Sequence, residues 1–110
     1  MVNASSPFGG QTRTQVLLAL RLLEETYARE LPRLLARPNN GVQMALRSLE
    51  RDGLVAGRLA GRTRLVRLNP SYFARDELQR YLLKLGDADA ELRDRVAQLR
   101  RRPRRAGKPL

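Results

Sequence analysis

Seven of the eight residues from Val16 to Leu23 are apolar, and Arg21 is the exception. The run is far shorter than the roughly 20 residues that span a bilayer. As a helix, expected over residues 11–25, it would be apolar on nearly every side and must be covered on more than one face. It is therefore either the central helix of the core or a helix that also packs against a second subunit.

Length and composition narrow the classes of protein. With 110 residues, no cysteine and no histidine, the chain fits one domain without disulfides, zinc-finger sites or thiol redox chemistry. The missing histidines also remove the commonest general base and transition-metal ligand. An enzyme is thus the least expected class, and no metal or cofactor is predicted. The sequence shows no membrane span and no secretory signal, so the cytoplasm is the expected location.

Positive charge is concentrated at the C-terminal end. The net charge is +11; residues 1–92 hold 14 basic and 10 acidic residues, a net +4, whereas residues 93–110 hold 8 and 1, a net +7. Nucleic acid is the first polyanionic partner to consider. The basic run 100–105 is either a non-specific phosphate-binding tail or a disordered, solubilising one.

Pro32 decides how the region after the first helix is interpreted. In a helix beginning at Thr26 its ring would clash with the carbonyl four residues earlier, which costs about 3 kcal/mol. In a first helical turn its missing N–H is harmless. We therefore expect an extended segment at 26–28 and a short helix at 30–35. Residues 36–41 have the Pro, Asn and Gly composition of a turn.

A second, amphipathic helix is predicted after this turn, capped by Asn39 or Asn40 and ending near Asp52. Gly53 suits the left-handed position that follows a helix. The apolar residues recur at i, i+3, i+4 and i+7, which places them on one face. They are Val42, Ala45, Leu46 and Leu49.

Two strands at residues 54–59 and 63–68 are predicted next, joined by the Gly-containing loop 60–62. Their alternation is imperfect, which leaves the register of this hairpin open. Ser71 or a neighbour is expected to cap a helix that ends at about residue 85, and Asp87 to cap a last helix that ends at about residue 101.

The order of the elements predicts a fold. Two helices joined by a short turn, the second amphipathic and followed by a hairpin, indicate a winged helix-turn-helix. The expected class is a mainly α protein with a small β-hairpin, namely a three-helix core, a wing and C-terminal helices. These last helices either complete the monomer or mediate dimerisation, and the over-hydrophobic first helix favours a homodimer. The expected divisions are an arm (1–9), a core (10–72), C-terminal helices (73–101) and a basic tail (102–110).

Several segments carry a resemblance to a known family, in matching order and spacing. They are Phe8-Gly9-Gly10-Gln11-Thr12-Arg13, Tyr27-Ala28-Arg29-Glu30-Leu31, the helix exit from Leu46 to Val55, and Gly61-Arg62 followed by Val66 to Pro70. Over residues 8–72 the chain resembles arsenic-repressor-type (ArsR-like) winged-helix regulators. The resemblance implies a DNA-binding transcriptional regulator. Metal-sensing members use Cys or His ligands, which this chain lacks, so metal sensing is not implied. The turn at 36–40 also departs from the commoner Gly-Leu-Ser type, which leaves the operator sequence unpredicted.

Nine residues are candidates for DNA contact. Asparagine and glutamine suit bidentate contacts to adenine and arginine suits guanine, whereas wing arginines grip phosphates or enter a narrow minor groove. Each residue type also has a purely structural explanation. The asparagines can cap the helix, and the glutamine and the helix arginine can lie on a solvated face. The methionine can pack half-buried, and the wing residues can form a charged hairpin edge that discourages strand pairing. The candidates are Asn39, Asn40, Gln43, Met44 and Arg47 on the second helix, and Arg58, Arg62, Thr63 and Arg64 on the wing.

The predicted function is sequence-specific binding of double-stranded DNA by a dimeric regulator that represses transcription by occupying its operator. The helix at 40–52 is expected in the major groove and the wing at 58–64 on the backbone or in the minor groove. A winged-helix module that binds another protein is one alternative. A non-specific nucleic-acid binder that depends on the basic tail is the other.

Overall fold

The computed structural model describes residues 8–101. The basic tail at 102–110 and residues 1–7 of the predicted arm lie outside this range. The elements in chain order are α1 (Gln11–Leu23), β1 (Glu25–Tyr27), a 3-10 turn (Ala28–Glu30), α2 (Leu31–Leu35), α3 (Asn39–Arg51), β2 (Val55–Ala60), β3 (Thr63–Leu68), α4 (Arg75–Asp87) and α5 (Ala90–Arg101).

Helix α1 forms the centre of the core. The residues from Val16 to Leu20 are fully buried, and the helix packs against α3, α4 and α5. The apolar run is thus covered on several sides within one chain, as expected of a central helix. It ends earlier than the predicted residue 25, because Glu24 adopts a left-handed φ of 73° and Glu25 begins β1.

Helices α2 and α3 form the helix-turn-helix. Pro32 lies in the first turn of α2, as predicted, and Ala36 ends that helix in a left-handed conformation. Gly53, with a φ of 85°, follows α3 as expected. The predicted asparagine cap is wrong: Pro38 holds the N-cap position with φ −59° and ψ 142°, and Asn39 is already helical. The extended backbone that proline favours leads the chain into the helix. The predicted stripe is buried and consists of Val42, Ala45, Leu46 and Leu49.

Strand β3 is the centre of a three-stranded antiparallel sheet of order β1-β3-β2. The loop between β2 and β3 has two residues, 61–62, rather than the predicted three, because Ala60 pairs with Thr63. On the other side of β3, Thr26 pairs with Val66. The extended segment was predicted at this place, but its pairing with the hairpin was not.

Asn69 joins the end of the hairpin to the end of α3. Its Nδ2 donates to the carbonyl of Gly53 at 2.9 Å, and its backbone N–H donates to the carbonyl of Leu54 at 2.9 Å. Its Oδ1 accepts the backbone N–H of Ser71 at 3.0 Å. Ser71 therefore belongs to this turn, and its predicted role as a helix cap is wrong, since α4 begins at Arg75.

Helices α4 and α5 complete the core of the monomer. Asp87 is the last residue of α4, so its predicted role as the cap of α5 is wrong. Asp89 takes that role, because its Oδ1 accepts the backbone N–H of Leu92 at 3.1 Å. The inner faces of the two helices are buried and consist of Leu78, Leu82, Leu85, Leu92 and Val96.

Candidate nucleic-acid interface

The face of α3 opposite its buried stripe is open to solvent. Asn40, Met44, Arg47 and Arg51 are exposed and follow one another at i, i+4, i+7 and i+11, which aligns them along one side of the helix. Met44 is 61% exposed, which argues against the half-buried packing considered for it. Arg51 was not among the candidates, although its spacing of four residues from Arg47 was the available signal.

The two arginines on this face have no polar partner in the described part of the chain. Among the side chains described, those of residues 8–99, neither Arg47 nor Arg51 forms an ion pair or a side-chain hydrogen bond. Each guanidinium can therefore offer its full set of N–H donors to an anion or to a base edge. A helix of this kind, anchored on one side and basic on the other, fits the roughly 12 Å wide major groove of DNA.

Gln43 has a different environment from its neighbours on α3. It is half-buried, and its Nε2 donates to the carbonyl of Ala28 at 3.1 Å and to Oδ1 of Asn39 at 3.2 Å. A bidentate contact to adenine needs both the amide N–H and the amide oxygen. In this arrangement Gln43 can offer its carbonyl oxygen alone, while its amide nitrogen fastens the start of α3 to the 3-10 turn.

The four wing candidates fall into two groups. Arg62 is exposed in the tip loop, and Thr63 is half-buried at the start of β3. The other two are engaged with carboxylates of the same chain. Nε of Arg58 lies 3.4 Å from Oε2 of Glu25, and Arg64 is paired with Glu50 of α3.

The arginines around α2 also divide into exposed and engaged side chains. Arg29 is exposed and lies over the ring of Tyr27, 5.3 Å from its centroid. Arg37, by contrast, donates through Nε to Oε1 of Gln15 at 2.7 Å and through a terminal nitrogen to Oγ1 of Thr12 at 3.3 Å. Arg37 thus fastens the turn between α2 and α3 to α1.

Arg13 of α1 fixes α3 on the side opposite its outer face. The terminal nitrogens of Arg13 donate to Oγ of Ser48 and, at 2.9 Å, to Oδ2 of Asp52. Its Nε donates to the carbonyl of Phe8. These bonds fix the second half of α3 against the core and leave its outer face unobstructed.

Two other kinds of feature are absent from the described part of the chain. Across residues 8–101, no group of three or more acidic side chains is placed to hold a metal ion. No helix in the same range combines the length and the apolar composition that crossing a membrane requires.

The comparisons with known proteins give a match among the solved structures. No protein-family profile matches the sequence, and no curated protein matches it. The structure is similar to the crystal structure of the transcriptional regulator HlyU from Vibrio vulnificus CMCP6, with a TM-score of 0.61 and 25% sequence identity. The match covers 74% of this chain and 78% of that chain. The winged helix-turn-helix expected from the sequence is thereby confirmed, and the chain is similar in fold to a transcriptional regulator.

Proposed function

We propose that this chain is a transcriptional regulator that binds double-stranded DNA in a sequence-specific manner and represses transcription by occupying its operator. The observation that carries the proposal is the outer face of α3, where Arg47 and Arg51 are exposed and unpaired within the described chain. The likeness to a transcriptional regulator supports it. We assign the chain to the arsenic-repressor-like regulators that lack metal-sensing residues, acting in the cytoplasm without a cofactor.

In this proposal α3 lies in the major groove. Arg47 presents a planar fork that matches O6 and N7 of guanine, and Asn40 presents an amide that matches N6 and N7 of adenine. Met44 offers an apolar surface to a thymine methyl group. Asn39 and Gln43, which are bonded to each other, hold the start of the helix and reach the DNA only at its edge.

The wing supplies contacts to the backbone or the minor groove. Arg62 at the tip and Thr63 beside it are the proposed contacts, since phosphate contacts of this kind orient a protein on the duplex. Arg58 can join them by exchanging Glu25 for a phosphate. Its pair with Glu25 is exposed, and exposed pairs of this type contribute only about 0–1 kcal/mol.

The proposed active form is a homodimer in which residues 10–72 bind DNA and residues 73–101 join the subunits. After completing the core, α4 and α5 still expose large apolar side chains: Tyr81 is 45% exposed, Leu83 48% and Leu99 38%. A two-fold dimer would place two α3 helices on half-sites about 34–36 Å apart.

Replacing Leu83 by glutamate is expected to convert the dimer into a monomer, because an interface has to desolvate the new carboxylate. Sedimentation velocity measures the change directly. Leu59→Glu is the matched control, since Leu59 is a leucine of the wing with 69% exposure, and this variant should stay dimeric. A Leu83→Glu protein that still sediments as the dimer would remove this face from the interface.

Binding to a labelled duplex library, made from the DNA upstream of the protein's own gene, tests the function. We measure affinity at two salt concentrations in the presence of competitor DNA. The expected result is a preferred sequence and an affinity that falls steeply with salt, with a slope in log–log form of about −0.9 for each phosphate neutralised.

Two other outcomes of this measurement would contradict the proposal. Binding without sequence preference that salt abolishes would show a non-specific nucleic-acid binder. Negligible binding at both salt concentrations would favour a winged-helix module that recognises another protein.

A further inference from the structure

One ion pair connects α3 to the wing, which is the β2–β3 hairpin. Glu50 lies in the last turn of α3 and Arg64 near the start of β3, and their side chains are 26% and 37% exposed. For the side chains that the structure describes, residues 8–99, no other hydrogen bond or ion pair links α3 with β2 or β3. Helix α3 also packs against β2, and Val55 and Val66 of the hairpin are buried.

Because Gly57 has no side chain, it leaves room for the Glu50–Arg64 pair. It is opposite Val66 in the β2–β3 register, and Leu59 is opposite Arg64, so all four residues belong to the same face of the sheet. A Cβ atom added to Gly57 would overlap Oε2 of Glu50 and lie 3.0 Å from a terminal nitrogen of Arg64. Both atoms are the ends of flexible side chains, so a methyl group here displaces the pair and leaves the backbone in place.

The tip half of the wing has little other support. Strand β1 pairs with β3 only from Leu65 to Arg67, which is the half nearer the core. From Thr63 to Arg64 the only strand that pairs with β3 is β2, and Arg64 adds its bond to Glu50. Two-stranded ribbons twist readily, so this bond limits how far the tip can turn away from α3.

We propose that Glu50 and Arg64 are positioning residues that fix the angle between the wing and α3, and that Gly57 leaves the room in which their side chains meet. This inference rests on the proposed function, since the angle matters for affinity only when both elements bind one duplex. Arg64 then acts on DNA through the placement of Arg62 and Thr63, rather than by touching a phosphate itself.

Two substitutions that change the net charge in opposite directions distinguish this positioning role from direct phosphate contact. Glu50→Gln raises the net charge by one and Arg64→Gln lowers it by one. If Arg64 simply bound a phosphate, releasing it from Glu50 would strengthen binding, and only Arg64→Gln would weaken it. If the pair fixes the wing, both substitutions weaken specific binding, by about three- to tenfold, a range within that found for coupled neighbours.

Gly57→Ala separates positioning from stability. Gly57 is not in the left-handed region, and alanine in a strand is about 0.5–1 kcal/mol more favourable than glycine. This variant is therefore expected to unfold at the same temperature or higher while its specific affinity falls about three- to tenfold. A residue with a purely structural role would not move the two quantities in opposite directions.

The angle itself is measured in the free protein. The chain contains no cysteine, so cysteines placed at Met44 and at Arg62 in the tip loop, both exposed, are the only sites at which a thiol-reactive spin label attaches. Samples are diluted with unlabelled protein so that only distances within one chain contribute. The expected result is one narrow distance for the parent chain and a broader distribution with Gly57→Ala, Glu50→Gln or Arg64→Gln.

Controls and opposing results complete the test. Glu25→Gln also raises the net charge by one but breaks a pair within the sheet; it should leave the distance unchanged and, because it releases Arg58, should not weaken binding. Exchanging the charges, Glu50→Arg with Arg64→Glu, should recover part of the lost affinity. Unchanged distances, or stronger binding by Glu50→Gln, would overturn the inference. If the parent chain lacks sequence preference, the proposed function fails, and the distances still decide whether the pair fixes the wing.

Discussion

Replacing Leu46 by alanine is expected to lower the free energy of unfolding by about 2–5 kcal/mol. Leu46 is fully buried on the inner face of α3, which packs against α1, so its removal deletes apolar contacts and leaves a cavity that the surrounding helices fill only in part. Chemical denaturation followed by circular dichroism measures the effect, and the slope against denaturant should stay the same.

Met44→Ala is the matched control on the same helix. Met44 is 61% exposed, and surface substitutions usually change stability by less than about 0.5 kcal/mol. Equal losses of stability for Leu46→Ala and Met44→Ala would mean that α3 presents a different face to the core from the one described above.

Replacing Arg47 by alanine is expected to weaken binding to the preferred sequence by about 1–3 kcal/mol, which is about 5- to 150-fold. Arg47 is exposed in the middle of the outer face of α3, and its loss removes the proposed bidentate contact to guanine. Titration of the labelled operator measures the affinity. The same titration against variants of each base pair should show relaxed discrimination at one position.

Arg93→Ala makes the same change of charge at an exposed position of α5, a helix that packs against α1, α2 and α4. It should affect all sequences alike and only slightly. If Arg47→Ala behaves in the same way as Arg93→Ala, Arg47 contributes general charge and does not read a base.

Elements with a strong repeating pattern could be predicted from the sequence. The stripe of α3 at Val42, Ala45, Leu46 and Leu49 is buried as its spacing indicated. The burial of α1 followed from the composition of its apolar run, and the first-turn position of Pro32 followed from the geometry of proline. In these cases the information lies within one element, because local periodicity or one residue's geometry decides the outcome.

Helix starts and strand partners could not be predicted in the same way. Asn39, Ser71 and Asp87 are all residues that suit an N-cap, yet Pro38 and Asp89 hold two of the cap positions. The choice depends on where neighbouring segments pack. The pairing of β1 with β3 joins residues about 40 positions apart, and no local pattern reports such a contact.

The candidate site was predicted in outline only. The sequence identified the outer face of α3 and the wing, and it named Arg47 and Arg62 in the exposed positions they occupy. It did not show that Arg64 and Gln43 are engaged within the chain. The value of an arginine or an amide for binding depends on its partners, and these come from elements distant in sequence.

Under the proposed function, the short strand β1 has a consequence for how DNA is selected. It follows α1 in the chain and pairs with β3 of the wing, so we expect the helix-turn-helix and the base of the wing to move as one body. A rigid body of this kind adapts little to a duplex with an unsuitable groove width. The duplex has to bend or twist instead, and the energy of that deformation depends on base steps that the protein never touches. Stiff and flexible tracts between the two contact points should therefore bind with different affinities, even when every contacted base is identical.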